Sequence, residues 1–369
     1  MIGGIRLKLE EKKTTNQKAK SLVEKSKYIL KKIFVSEYFI LYLSLAYFFI
    51  LVPFVPGLAS VPNIMNLFSN MWPMLTIAIG QTMVLIVAGI DLSQTATLGI
   101  TSIIGAMVMS TGIDPALLET SPLWGWFITE QGGVLAGTRM AIPVGIVIML
   151  AVGTLIGWFN GIAIAKFKIT AFMVTLVSQM FFGALAIYLS TSQNIMNLPK
   201  AFSSIGTEGI GIIPFSLVIA VVLGIVAHII LSSTVLGRWL YSTGTNIKSS
   251  IVSGVPTDKV VIFAYMFSGF CTSVGAILYS ARLGMGRPTL GDNMLMDIIG
   301  ATVIGGTSMF GGKGKVLWTV FGVFFFVLLS NTLNLLNLSY FTINIVKGAI
   351  IVIAAFIDVT RTRIIAKGL

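Results

Sequence analysis

Apolar runs about twenty residues long recur along the chain, each broken off by a short cluster of glycine, proline or polar residues. Residues 37–55, 71–89, 140–165, 214–231 and 316–336 are each near the ~20 residues an α-helix needs to cross a hydrocarbon core about 30 Å thick. The period-two alternation of a barrel strand is absent, and lipid offers no partner to an open sheet edge, which leaves the helix. Read end to end, the pattern predicts ten spans: 37–55, 71–90, 95–111, 140–165, 171–191, 213–232, 259–281, 294–310, 316–336 and 342–359, the third and eighth of them short. The expected fold is an all-α polytopic membrane protein of about ten transmembrane helices, some short or broken.

Two stretches interrupt the pattern in a similar way. In MVLIVAGIDLSQTATLG (83–99) and ATVIGGTSMFGGKGKV (301–316) an apolar run ends in glycine and small polar residues before a second apolar run begins. Both read as broken helices. If the halves of the chain correspond, spans two to five match spans seven to ten, giving two weakly repeated halves of the kind common in transporters.

Composition agrees: 56% of residues are hydrophobic and 10% charged, against about 25% charged in soluble domains, and mean hydropathy is +0.94. The longest connection after the first span, 112–139, is too short to bury a core of its own. It is acidic and carries Trp124 and Trp126, residues suited to a membrane interface. An ordered outer hairpin with aromatic anchors is one reading; contact with an external partner is the other.

Charge sets the orientation. With the N-terminus in the cytoplasm, the outer loops hold only Arg139, Lys200, Arg282 and Arg287 of the 25 Lys and Arg, and Lys347 falls within the last span. Both termini are therefore expected to be cytoplasmic. The domains read as a basic tail at 1–35, retained and without a signal-like apolar core, a membrane domain at 36–360 and a second cytoplasmic tail at 361–369. The net charge of +12 suits anionic lipid and not nucleic acid, since no aromatic-interleaved basic patch accompanies it. The expected location is the cytoplasmic (inner) membrane, multi-pass.

Candidate chemistry is sparse. GGTSMFGGKGK invites a P-loop reading, but Gly314 follows Lys313 where Ser or Thr is required, so a tight turn between membrane helices fits better. His228, alone in the chain, supports neither a metal site nor a triad, so no catalytic residue is expected. Cys271 sits in an apolar span without a disulfide partner. Gly153, Gly157 and Gly161 recur every four residues and mark a close-packing face, beside which Asn160 either bonds to a neighbouring helix or lines a pathway.

Asp91, in GIDLS with Ser93 two residues on, either caps a broken helix or faces a pathway; Asp297 and Lys347 fall at similar heights in different helices. What remains are neutral hydrogen-bonding residues in apolar helices, including Gln81, Thr82, Thr175, Ser178, Gln179, Asn331, Asn334, Asn337 and Asn344. Such groups suit passage of an uncharged, hydroxyl-rich solute. The pathway candidates are Asp91, Ser93, Asn160, Thr175, Gln179, Asp297, Asn331 and Asn334.

Four stretches, in this order and spacing, resemble permease subunits of ATP-binding-cassette importers for monosaccharides, of the ribose, xylose and methyl-galactoside type. They are LIVAGIDLS (85–93), FKITAFMVTL (167–176), GTNIKSSIVSGVPTDKVVIFAYMFSGF (244–270) and ARLGMGRPTLGDNMLMDIIGATVIGGTSMFGGKGKV (281–316), with VKGAIIVIAAFID (346–358) closing the pattern. The likeness covers about residues 60–360 and implies that 36–360 is a permease domain moving a monosaccharide. It further implies a coupling helix at about 244–256 that docks on the ATP-hydrolysing subunit, with Gly244, Asn246, Ile247, Ser249, Ser250, Ile251, Ser253 and Gly254 as contact residues. A solvated loop is the alternative there, and the serines at 249 and 250 replace the usual alanines.

No cofactor is then expected on this chain, with ATP and magnesium on the partner ATPase. The other implied partners are a second permease copy or a homologous permease, an extracytoplasmic sugar-binding protein and membrane lipid, with no nucleic acid. Import of a nucleoside, autoinducer-2 or a branched-chain amino acid is the nearest alternative. An ion-coupled secondary transporter is a further one.

Overall fold

The structure is a computed structural model that describes residues 36–211 and 213–366. The basic tail at 1–35 and residues 367–369 lie outside the described residues. The chain forms a mostly helical bundle in which α1 (Phe39–Leu51), α2 (Val61–Ile86), α3 (Gln94–Met109), α5 (Ala141–Ala165) and α6 (Ala171–Leu189) make the first half; a single turn, α4 (Pro115–Leu118), lies between α3 and α5. A short α7 (Lys200–Thr207) precedes α8 (Phe215–Ser233), and α9 (Val235–Thr245) and α10 (Ile247–Val252) follow it. The second half comprises α11 (Thr257–Leu283), α12 (Leu295–Gly305), α13 (Val316–Leu335) and α14 (Tyr340–Ala366). Two tiny ribbons, β1 (Ile128–Thr129) with β2 (Gly132–Gly133) and β3 (Gly209–Ile210) with β4 (Ile213–Pro214), close loops. Five helices, α5, α6, α8, α11 and α13, are long and apolar enough to cross a membrane, and shorter apolar helices accompany them. The chain is a polytopic membrane protein.

At the centre, α11 packs along α2 and α5. The glycine stripe of α5 makes the second contact possible. A side chain at Gly153 would meet Ser273 and Gly269, one at Gly157 would meet the Tyr265 carbonyl, and one at Gly161 would come within 2.7 Å of Ile262. The two helices therefore run antiparallel with their backbones almost touching. The outward faces of α5, α6 and α8 remain apolar and exposed, as at Leu155, Phe159, Phe181 and Val222, which is the surface a lipid-facing helix presents.

Both halves contain a helix that is followed by an extended return. After α2 ends at Ile86, residues 87–93 climb back along it, so that the Gln94 side chain at the start of α3 reaches the Ile77 carbonyl, about 14 Å up the axis. After α11, residues 284–294 descend along α3: Gly286 packs against Ser102 and Ala106, Pro288 against Gly99 and Gly291 against Thr95. Each of these glycines lets backbone lie on backbone. Since α2 and α11 are antiparallel, with Gly80 on Ser268 and Ile77 on Gly275, the two return segments run in opposite directions. The extended return like that at 87–93 is thus 284–294 and not 301–316. In the latter, residues 301–305 end α12 and residues 306–315 form a tight turn in which Gly311 and Gly312 adopt positive φ and the Ser308 N–H donates to the Lys313 carbonyl.

Several boundaries differ from the pattern-based ones. The second predicted span opens ten residues earlier, at Val61, because Pro62 fits the first helical turn and Asn63, Asn66 and Asn70 find polar partners. The last helix continues to Ala366, so residues 361–366 are helical. The connection 112–139 is an ordered hairpin that buries Leu118 and Ile128 and leaves Trp126 exposed.

Candidate functional site

The helix break at 87–93 is held by a continuous buried chain of polar side chains. Ser93 donates to Asp91 Oδ1 through its backbone N–H at 3.1 Å and its hydroxyl at 2.6 Å, and the Ser268 hydroxyl of α11 donates to Asp91 Oδ2 at 2.7 Å. The Gln94 amide donates to Ser268 Oγ at 2.9 Å, and Asn160 Nδ2 of α5 donates to Ser93 Oγ at 2.9 Å. The Ser178 hydroxyl of α6 in turn donates to Asn160 Oδ1. Asp91 and Asn160 are buried, so one Asx-type turn knits α3, α5, α6 and α11 together. Thr175 bonds back to Ala171 and also approaches the Ile90 carbonyl. Of the pathway candidates, the structure brings together Asp91, Ser93, Asn160 and Thr175, in a packed polar seam.

Gln179 belongs to a different place. With Thr95, Ala96, Leu176, Met180, Gly183 and Asp292 it lines a recess of about 310 Å³ between α3, α6 and the descending segment. Thr95, on the recess floor, is buried and lies about 21 Å along α3 from Met109, whereas Asp292 and Met180 at the rim are exposed. Asp292 and Thr95 were not singled out by the sequence, because RLGMGRPTLGDN has the composition of a surface loop. The signal available was its glycine spacing.

The remaining candidates separate. Lys347 Nζ of α14 lies 2.7 Å from Asp297 Oδ2 in the first turn of α12, a mostly buried ion pair. Asn331 exchanges two hydrogen bonds with Asn63, at 2.8 and 2.9 Å, joining α13 to α2. Asn334 is exposed one turn further on.

At the end of the bundle opposite the 112–139 hairpin, α10 is a free-standing turn and a half. Asn246 caps it by accepting the Ser249 N–H at 3.0 Å, and Gly254, at positive φ, lets the chain leave it. Gly244 is buried within α9 and does not border α10; its nearest neighbour is the Ile86 carbonyl. Ser250 also points inward, sharing a 2.7 Å hydrogen bond with Ser242. Asn246, Ser249, Ser253 and Gly254 are exposed, and Ile247, Ile251 and Val252 stand 45%, 56% and 90% exposed. The turn at 306–315 sits beside α9: the Gly312 N–H donates to the Ile86 carbonyl at 2.9 Å and the Tyr241 hydroxyl to the Gly314 carbonyl at 2.7 Å. Burial pushes the Tyr241 hydroxyl above its ordinary pKa, which keeps it a donor.

Residues 63–355 match the protein family described as branched-chain amino acid transport system / permease component. Among curated proteins, the chain is similar to the ribose import permease protein of Haemophilus influenzae, 32% identical over 82% of this chain and 87% of that one. The ribose import permease protein of Bacillus subtilis is 30% identical over 80% and 84%. The galactose/methyl galactoside import permease protein of Haemophilus influenzae is 27% identical over 82% and 88%. No solved structure matches.

Proposed function

The chain belongs to the branched-chain amino acid transport system permease family, and from that premise we propose that it is the membrane subunit of an ATP-driven importer that passes a monosaccharide inward. As a permease it is not an enzyme; ATP hydrolysis lies on a separate chain. The observation that carries the mechanism is the trio Ile247, Ile251 and Val252, held out on a capped short helix at the end of the bundle where the loop lysines Lys166, Lys168, Lys248, Lys259, Lys313 and Lys315 gather. A lysine-rich end is the cytoplasmic one. An exposed apolar helix face there suits a groove on an ATPase.

On this orientation the 112–139 hairpin meets an external sugar-binding protein, α14 runs toward the cytoplasm, and the first and last helices place both termini inside, with ten crossings in the cell's inner membrane. A second permease copy completes the passage. The sugar reading is favoured by the relatives' named cargoes and by a recess whose polar groups are one hydroxyl, one amide and one carboxylate. An amino acid would bring a carboxylate for which no cation lines the recess. Vesicles containing this chain, its ATPase and its binding protein should take up a labelled sugar with ATP present and not without it. Uptake driven by an ion gradient in the absence of the ATPase would overturn the assignment.

A further inference from the structure

We propose that the recess between α3, α6 and residues 284–294 is the passage's selectivity site, in which Asp292 and Gln179 read the hydroxyls of the solute. The proposal rests on the sugar-importer reading and names where within it the cargo is distinguished.

Three observations converge. Asp292 is brought beside Thr95 by the descending segment, and among the described residues its carboxylate has no hydrogen-bond or ion-pair partner. Asp292 is exposed, so this carboxylate stands open to water and to any solute that enters the recess. The lining then offers acceptors at Asp292, an acceptor and two donors at the Gln179 amide and a hydroxyl at Thr95, against apolar walls from Ala96, Leu176 and Met180. That set complements neighbouring hydroxyls, since a carboxylate accepts two at once. The volume of about 310 Å³ is at the low end for small-molecule sites, about 300–1,000 Å³, and so fits one sugar ring.

Selection here follows from asymmetry. A site built to bond a hydroxyl discriminates against the deoxy analogue, because its own polar group is left unpaired. The buried seam of Asp91, Ser93, Asn160 and Ser178 lies behind the recess, fixing α3 and α6 so that the two walls keep their spacing.

The chain is convenient for the test, because its only cysteine, Cys271, is buried. Gln179→Cys and Asp292→Cys would be made in the full transporter, assembled with its ATPase in vesicles, and exposed to a charged methanethiosulfonate. Phe181→Cys, on the lipid-facing side of α6 and outside the recess, is the comparator. Both recess variants should label about tenfold faster, reflecting contact with water. Equal rates at all three positions overturn the proposal, and this arm is independent of which solute is carried.

In the second arm, Asp292→Asn is compared with wild type for uptake of D-ribose and 2-deoxy-D-ribose, or of D-galactose and 2-deoxy-D-galactose. The parent sugar should lose about tenfold, the worth of one hydrogen bond to a charged acceptor, and the deoxy sugar clearly less. Equal losses for both overturn the selectivity role, as would uptake that changes when sodium is replaced by choline. A wild-type transporter that carries none of these sugars counts against the sugar reading and leaves the labelling arm to decide the recess.

Discussion

Lys347 reaches across from α14 to Asp297 at 2.7 Å, and the two side chains are only 11% and 17% exposed. The pair fastens the half-helix α12, which starts inside the bundle, to its last helix. Asp297 also lies in the first turn of α12, where the helix dipole favours an anion.

Removing one member of such a pair leaves the other charge stranded. Lys347→Met should destabilise the protein by about 3 kcal/mol, the lower end of the range for buried pairs because neither side chain is fully enclosed. Thermal unfolding in detergent measures it. The exchanged double variant Asp297→Lys with Lys347→Asp should recover part of the loss, though not all, since it places a cation at the helix start. A Lys347→Met melt at the wild-type temperature would show that the pair holds nothing.

Asn160→Leu removes the two interhelical bonds to Ser93 and Ser178 in the polar seam. The expected cost is about 1–2 kcal/mol, because single interhelical bonds in membranes average ~0.6 kcal/mol and Ser93 keeps its bond to Asp91. Ser178→Ala should cost less than Asn160→Leu. The reverse order in unfolding titrations would break the proposed chain of bonds.

On α10, Ile251→Asp should abolish co-purification with the ATPase and ATP-driven uptake while leaving membrane insertion intact, since an unpartnered charge in an apolar groove costs several kcal/mol. Thr257 is buried at the start of α11 and is no neutral control; exposed Lys259 serves instead. Normal co-purification of Ile251→Asp would remove α10 from the contact.

Glycines with similar sequence surroundings should respond in opposite ways. Gly157→Ala drives a methyl into the Tyr265 carbonyl and should separate α5 from α11, with a loss of at least 1–3 kcal/mol. Gly224→Ala meets only side-chain methyls, at 3.7 and 3.8 Å, and should gain up to about 1 kcal/mol from helix propensity. Melting temperatures that fall equally in both would mean the α5 contact is looser than its geometry.

The bundle itself was readable in advance because burial in lipid demands long apolar runs, and the glycine stripe at 153, 157 and 161 announced its own contact. The descending segment was not. Its polar residues read as a loop, and only packing on α3 shows that Gly286 and Gly291 let that loop enter the bundle. Asn63 was passed over for a related reason: it precedes the strongly apolar part of α2, yet with Asn66 and Asn70 it forms one helical face, which Asn331 and the forked guanidinium of Arg282 meet. Gln179 could be named as polar within a span, whereas its neighbour Asp292 could not, since their proximity depends on the 112 residues of intervening chain.

The meeting of Gly244 and Gly312 at the Ile86 carbonyl has a mechanical meaning. A joint made of backbone has no rotatable side chain to absorb a stroke, so it has almost no play. Force applied to α9 through α10 arrives undamped at the last residue of α2, one step from the hydrogen-bonded break at 87–93. A joint of backbone on backbone thereby adjoins the point where α2 stops and the polar seam around Asp91 begins, so a push on α9 is passed to four helices at once.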